Sequence, residues 1–244
     1  MNSNLALSWL PIAAFGILVL FILGIILLNR NNKKEGPYVL FADITDVSDI
    51  PPEKDKKEYY FFPLQKSGLS DASSFLQEYL LKWIIDDVVR KEDGRYILEG
   101  SPVFESNHER NWFVLLNKLP GGILLMEPEF RKKEEKNIRE NMQDLRGESI
   151  GYLLKNEYMK TSSSRIMNEN VEHYSYTEKG LELQKELISY RNYLNQRKSI
   201  GEKELPWLAI YGLEYKNIED ASSDITKEDY DWAKRFSDFY KKVS

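Results

Sequence analysis

Residues 71–98, DASSFLQEYLLKWIIDDVVRKEDGRYIL, change rhythm halfway along, and that change sets the fold class. In the first half Phe75, Leu76, Tyr79, Leu80, Trp83 and Ile84 recur at helical spacing, giving one apolar stripe behind Ser70 or Asp71 as a cap. In the second half residues 88–91 and 95–98 read as two strands joined through Asp93-Gly94, where glycine accepts the positive φ of a tight turn. A helix that runs into a short β-ribbon has the order of the C-terminal half of a winged-helix unit.

The theme repeats downstream. Trp112, Phe113, Leu115, Leu116 and Leu119 predict a helix ended by Pro120-Gly121-Gly122, and residues 130–145 a polar helix that Gly147 closes. Residues 150–154 lead into a strand over 158–166, and 171–176 form the return strand of a wing with a polar, serine-rich tip. Thr177 then opens a helix with Leu183, Leu187, Tyr190 and Leu194 on one face. Pro206 starts the apolar run 205–213 from a first-turn position. Thr226 and Asp229 have the spacing of a capping box, ahead of a last stripe of Trp232, Phe236, Phe239 and Val243.

Upstream, residues 10–28 (LPIAAFGILVLFILGIILL) hold no charged side chain. At 1.5 Å per residue, a run of roughly 19 residues crosses most of a ~30 Å hydrocarbon core. The basic residues lie on its C-terminal flank, in Asn29-Arg30-Asn31-Asn32-Lys33-Lys34, so the expected orientation places Met1 outside and the body inside. The expected division is an extracytoplasmic N-terminus over 1–8, a transmembrane helix over 9–29, a juxtamembrane tether over 30–58, winged-helix-like units over 59–104 and 105–200, and C-terminal helices over 201–244.

Composition removes whole classes of chemistry. The 244 residues include no cysteine, which excludes disulfides, thiolate catalysis and cysteine-based metal sites. Aromatics make up 13% of the chain, too many for a disordered tail. The net charge of −5 argues against a general nucleic-acid surface. The two histidines, His108 and His173, have no second histidine at ligand spacing and read as surface residues. Ser162, Ser163 and Ser164 have no base beside them in sequence, and Gly121-Gly122 lacks the lysine of a phosphate loop. No catalytic, metal or cofactor-binding residue is therefore expected, and no cofactor.

Two clusters remain as candidate sites. Tyr59, Tyr60, Phe61 and Phe62 form a run of four rings that, with Trp207 and Tyr211, are candidate partner-binding residues, since aromatics dominate interface anchors; a strand packed on the domain is the other reading of the run. Lys132, Lys133, Lys136 and Arg139 form a candidate basic patch, within a stretch (131–165) that holds nine basic and six acidic residues. Such a stretch faces DNA or anionic lipid, or else is a solvated helix face of alternating sign.

Four blocks carry a family resemblance. Tyr176-Thr177-Glu178-Lys179-Gly180-Leu181-Glu182-Leu183, Tyr190-Arg191-Asn192-Tyr193-Leu194, Glu204-Leu205-Pro206-Trp207-Leu208-Ala209-Ile210-Tyr211-Gly212-Leu213 and Trp232-Ala233-Lys234-Arg235-Phe236 stand in this order. The chain thereby resembles the C-terminal part, transmembrane helix plus cytoplasmic portion, of the domain-of-unknown-function 2207 family of predicted bacterial membrane proteins. It departs where Trp207 replaces the family's usual Tyr, where Tyr211 replaces a common Leu, and where residues 214–229 look inserted. The family's extracytoplasmic domain and glycine-rich tail have no counterpart, so the chain reads as a short variant or a C-terminal half. The resemblance implies an architecture and a location, with no activity and no catalytic residue.

The expected fold is thus α+β: a single N-terminal transmembrane helix, then a cytoplasmic region of one or two winged-helix-like units closed by C-terminal helices. The expected function is that of a single-pass, membrane-anchored, non-enzymatic interaction or scaffold protein. Its expected partners are the lipid bilayer, another membrane or cytoplasmic protein and a second copy of the chain. The alternative is a membrane-tethered winged-helix transcription regulator, which the overall charge disfavours.

Overall fold

The side chain of Asp71 accepts hydrogen bonds from the N–H groups of Ser73 and Ser74, at 2.9 and 3.3 Å, and so starts helix α2 (Ala72–Ile85). The computed structural model describes residues 43–52, 56–100, 102–166, 169–219 and 225–241. Within it α2 is buried nearly all round, Gln77 and Glu78 included, as befits a central helix. It packs on two C-terminal helices, α7 (Leu205–Ile210) and α8 (Lys227–Lys241).

The ribbon after α2 is β1 (Val89–Glu92) with β2 (Arg95–Leu98), antiparallel and in register from Val89↔Leu98 to Glu92↔Arg95. Asp93 and Gly94 both take positive φ, 50° and 75°, the geometry that a two-residue hairpin turn requires. The ribbon does not project freely. Tyr96 stacks on Trp232 of α8 with ring centroids 3.6 Å apart, and its hydroxyl donates to Asp229 at 2.7 Å. Asp229 also completes the expected capping box with Thr226, accepting from its backbone N–H at 2.8 Å. Burial alone would raise the Asp229 carboxyl, but the bonds from Thr226 and Tyr96 and the charge of Lys91 outweigh it and hold the group low.

The four-ring run is helical rather than extended. A 3₁₀ turn (Lys57–Tyr60) leads into α1 (Phe61–Lys66), and Tyr60, Phe61 and Phe62 are all buried. Three consecutive buried rings do not suit a strand with one wet face, because a strand sends alternate side chains outward. Ser149 of α5 (Glu135–Lys155) fixes the turn by accepting from the Phe62 N–H at 2.9 Å and donating to the Tyr59 carbonyl at 2.7 Å. Helices α3 (Asn107–Leu116) and α4 (Pro128–Lys133) precede α5. Helix α5 continues past Gly147, the expected stop, because the buried stripe Ile138, Leu145, Ser149, Leu153 continues past it.

Two longer strands follow, β3 (Met159–Ile166) and β4 (Glu169–Tyr176), paired in a sheet of their own. Residues 161–175 belong to a separate compact unit, in which Thr161, Ser162 and Ser163 are exposed and His173 is half-buried. The body resumes with α6 (Glu178–Gln196), on which Leu183, Leu187, Tyr190 and Leu194 are buried as their spacing predicts. Asn192 of α6 donates to the carbonyls of Ile44 and Asp46, at 3.1 Å each, so the described part of the expected tether is strapped to the body. A parallel pair, β5 (Ser199–Gly201) and β6 (Asn217–Glu219), flanks α7 in sequence.

The expectation of a single-pass membrane protein is corrected. Among the described residues no helix is long and apolar enough to cross a membrane, and residues 9–29, expected to span it, lie outside the described residues. The longest described helix, α5, has 21 residues, but charged side chains recur along it from Glu135 to Lys155. Its buried stripe serves protein packing, so the α+β body gives no basis for the anchor, the inside placement or the lipid partner.

Gly180 marks the tightest approach in the body. A Cβ there would lie 2.0 Å from the Tyr158 carbonyl oxygen, which is backbone and has no rotamer to give way. The same carbonyl accepts from the Thr177 N–H at 3.0 Å, while the Thr177 hydroxyl accepts from the Gly180 N–H at 3.2 Å as the α6 cap. Gly180→Ala is expected to cost at least ~2 kcal/mol through overpacking, measured by urea denaturation. An unchanged midpoint would mean that the two segments part at little cost.

Candidate functional site

Of the six candidate partner-binding aromatics, five lie in the core: Tyr60, Phe61, Phe62, Trp207 and Tyr211 are each 7% exposed or less. Tyr60, Trp207 and Tyr211 meet around Tyr190, with Trp207 edge-on to Tyr190 at 5.7 Å and Tyr60 6.1 Å from Trp207. The Tyr211 hydroxyl donates to the Leu187 carbonyl at 2.7 Å. Tyr59 is half-buried and stacks on Tyr152, centroids 4.0 Å apart. These rings serve the chain's own packing, which corrects the expectation of a surface patch. In the basic stretch, Arg139 contacts Glu135 at 2.6 Å and Lys136 contacts Glu140 at 3.7 Å, both one helical turn apart. Lys132 and Lys133 are exposed on the last turn of α4. Lys136 and Arg139 thus lie on a solvated face of alternating sign.

The groups that sequence reasoning missed lie beneath these surfaces. Glu58, Glu78, Glu109 and His108 are 4% exposed or less and meet where the 3₁₀ turn, α2 and α3 converge. The Tyr79 and Ser106 hydroxyls donate to Glu58 Oε1, at 2.7 and 2.5 Å. The Tyr79 oxygen lies 2.9 Å from His108 Nδ1. Tyr79 thus bridges Glu58 and His108. Ser106 also caps α3 by accepting from the Glu109 N–H at 3.0 Å. Glu109 in turn accepts from Lys82 and Trp83, at 3.1 and 3.0 Å, and from the Glu105 N–H at 2.7 Å. Lys57 lies 3.1 Å from Glu78.

Burial sets the protonation of this cluster. It pushes Glu78 up to about 7 against the pull of Lys57, with Glu58 and Glu109 adding like-charge repulsion. It holds His108 down to about 3, outweighing the Asn141 backbone carbonyl beside the ring. His108, expected at the surface, is thus a buried neutral imidazole. The relay His108–Tyr79–Glu58 is ordered, yet each member is buried, so a substrate atom has no route to it in this conformation. It fixes three elements to one another.

Beside the cluster, α3 and α5 leave a groove of about 470 Å³. Arg110, Asn111, Val114 and Lys118 line it from the α3 side, while Asn137, Glu140, Asn141 and Asp144 line it from α5. The wall on the α3 side carries the cations and the α5 wall the acids. Val114 is 54% exposed, an apolar contact in a polar rim. Asn141 is 4% exposed, and neither its Nδ2 nor its Oδ1 has a hydrogen-bond partner. An unsatisfied buried amide costs about 1–3 kcal/mol. Among the described residues there is no group of three His, Asp or Glu side chains that could hold a metal ion.

Comparison of the chain with protein-family models, with curated proteins and with solved structures found no match. The family resemblance therefore rests on the quoted residues alone. The signal for the groove was present at residues 137, 140, 141 and 144, a polar stripe with helical spacing, but an asparagine reads as solvent-facing until a second helix is laid against it. Glu78 was hidden in the same way, beside Gln77 on a helix whose buried positions are mostly apolar.

The cluster makes stability depend on pH in two opposing ways. Glu78 has a folded-state value above its unfolded one, so its contribution is complete below about 4.5 and lost as pH rises through about 7. His108 has a folded-state value below its unfolded one, so its contribution is complete above about 6.5 and lost as pH falls toward about 3. Between about 4.5 and 6.5 the two slopes oppose and largely cancel. Glu78→Gln is expected to stabilise the protein at pH 8 by on the order of 1–3 kcal/mol, with the gain fading toward pH 4.5. His108→Gln should retain more of its stability than the parent at pH 4. Urea midpoints across this range check both, and parallel pH profiles for parent and variants would refute the assignments.

Proposed function

We propose that this chain is a non-enzymatic protein-interaction module that receives part of a partner protein in the groove between α3 and α5. The observation that carries the reading is the groove itself, with cations along one wall, acids along the other and an exposed Val114 between them. Opposed walls of balanced charge suit a partner of mixed charge and repel a polyanion as much as they attract it. Glu78 and His108, whose ionisation burial shifts in opposite directions, sit in the buried cluster and not in the lining of the groove, which supports a binding role for the groove. The pairing of Lys136 and Arg139 with neighbouring acids likewise favours a protein partner over DNA.

A photo-crosslinking residue at position 114 tests this in cells. The expected result is a discrete crosslinked species that disappears when Arg110→Glu and Asp144→Lys are combined in the same chain. Crosslinking that persists unchanged in that double variant, or none at 114 while an exposed control position on α8 gives a product, overturns the reading.

A further inference from the structure

Asn141 joins two facts that are hard to reconcile in a purely structural residue: it is almost fully buried, and both ends of its carboxamide are unpaired. Native interiors satisfy such groups with few exceptions, because an unpaired donor or acceptor loses its water and gains nothing. Here the amide belongs to the lining of the groove, whose rim residues Arg110, Asn111, Asn137, Glu140 and Asp144 are all exposed. Its atoms are shielded from solvent, so a ligand reaches them by displacing side chains of that rim. We propose that Asn141 reads the main chain of an extended peptide segment laid along the groove, a proposal that rests on the interaction reading above and names its ligand.

The chemistry follows from the amide. A carboxamide offers one N–H donor and one C=O acceptor on the same edge. In an extended chain the N–H and C=O of a single residue also point to the same side, as they do when antiparallel strands exchange a pair of bonds. One asparagine can therefore satisfy both main-chain groups of one residue, as half of a β-ladder does. Side chains of an extended segment then project alternately to either side, here toward the two walls. Acidic residues face Arg110 and basic residues face Asp144, since Lys118 and Glu140 already pair with Glu134 and Lys136. From Asn137 to Asp144 the α5 stripe runs about 10 Å, at 1.5 Å per residue, which accommodates about three extended residues at ~3.4 Å each. A nucleobase edge also matches a carboxamide, but its phosphate gains nothing from walls whose charges balance.

The probe is a short, end-blocked, fluorescein-labelled peptide of alternating Glu and Lys, followed by anisotropy with the full chain. Saturable binding below about 1 mM is expected, weakened at least ~10-fold when the peptide's backbone amides are N-methylated. Asn141→Leu is expected to weaken binding at least ~10-fold while its urea midpoint stays the same or rises, because an unsatisfied polar group has been removed. A structural asparagine would instead lower the midpoint. Equal binding of the N-methylated and parent peptides overturns the proposal whatever the variant does, as does tighter binding of adenosine monophosphate than of the peptide. If no peptide binds but the crosslink at position 114 persists and stays charge-dependent, amide readout is wrong and the interaction reading stands; if that crosslink also fails, both fall.

Discussion

The carboxyl group of Glu58 is the point to which the N-terminal part of the body is tied. It sits in the 3₁₀ turn, yet its Oε1 is gripped by Tyr79 of α2 and by Ser106, the cap of α3. A buried acid is tolerable only when its lone pairs are engaged, and leaving one without partners costs several kcal/mol. The turn, α2 and the start of α3 are therefore held in one arrangement. The cations are placed at the margin: Lys57 and Lys82 keep part of their surface in water, at 25% and 17%, while Glu78 and Glu109 beneath them are 4% and 1% exposed. Lysine can do this because its long stem lies along apolar surface with the charge at the edge.

The unsatisfied amide of the groove lies close to this buried cluster. His108 of α3 lies beside the backbone carbonyl of Asn141 on α5, while the Asn141 side-chain amide itself is unpaired. The contact between α3 and α5 includes the unpaired Asn141 amide, whereas α2 meets α7 and α8 through buried, largely apolar faces. The first is left with groups that another molecule could satisfy.

Much of the body's local structure could be read from the residues. The Asp71 cap, the Asp93-Gly94 turn, the Thr226–Asp229 box and the stripe Leu183, Leu187, Tyr190, Leu194 each express a short-range rule, and each is present. What could not be read depends on which surfaces meet. The run from Tyr59 to Phe62 is apolar enough for a strand, an interface or a core helix, and only Ser149, 87 residues from Phe62, decides among them. Gly147 looks like a helix stop because a glycine normally weakens a helix, but the buried positions on both sides of it carry α5 through. His108 looked like a surface residue for want of a sequence neighbour; its partner Tyr79 is 29 positions away. The site depended entirely on such distant pairings, so its residues drew no attention individually.

The clamp at the root of β3 and β4 has a consequence for how this chain can vary. Thr177 binds the carbonyls of Glu157 and Tyr158 through its hydroxyl, at 2.7 and 3.2 Å, and Gly180 lets the new helix lie against that corner. The two ends of the excursion are thereby held together by the body, independently of what lies between them. Once the ends are fixed, the entropy of closing a loop grows only with the logarithm of its length, about 0.6 kcal/mol per doubling. The segment between residues 160 and 176 is therefore a place where evolution or an engineer can graft new sequence, an epitope or a reporter domain included, while the helices of the body keep their architecture.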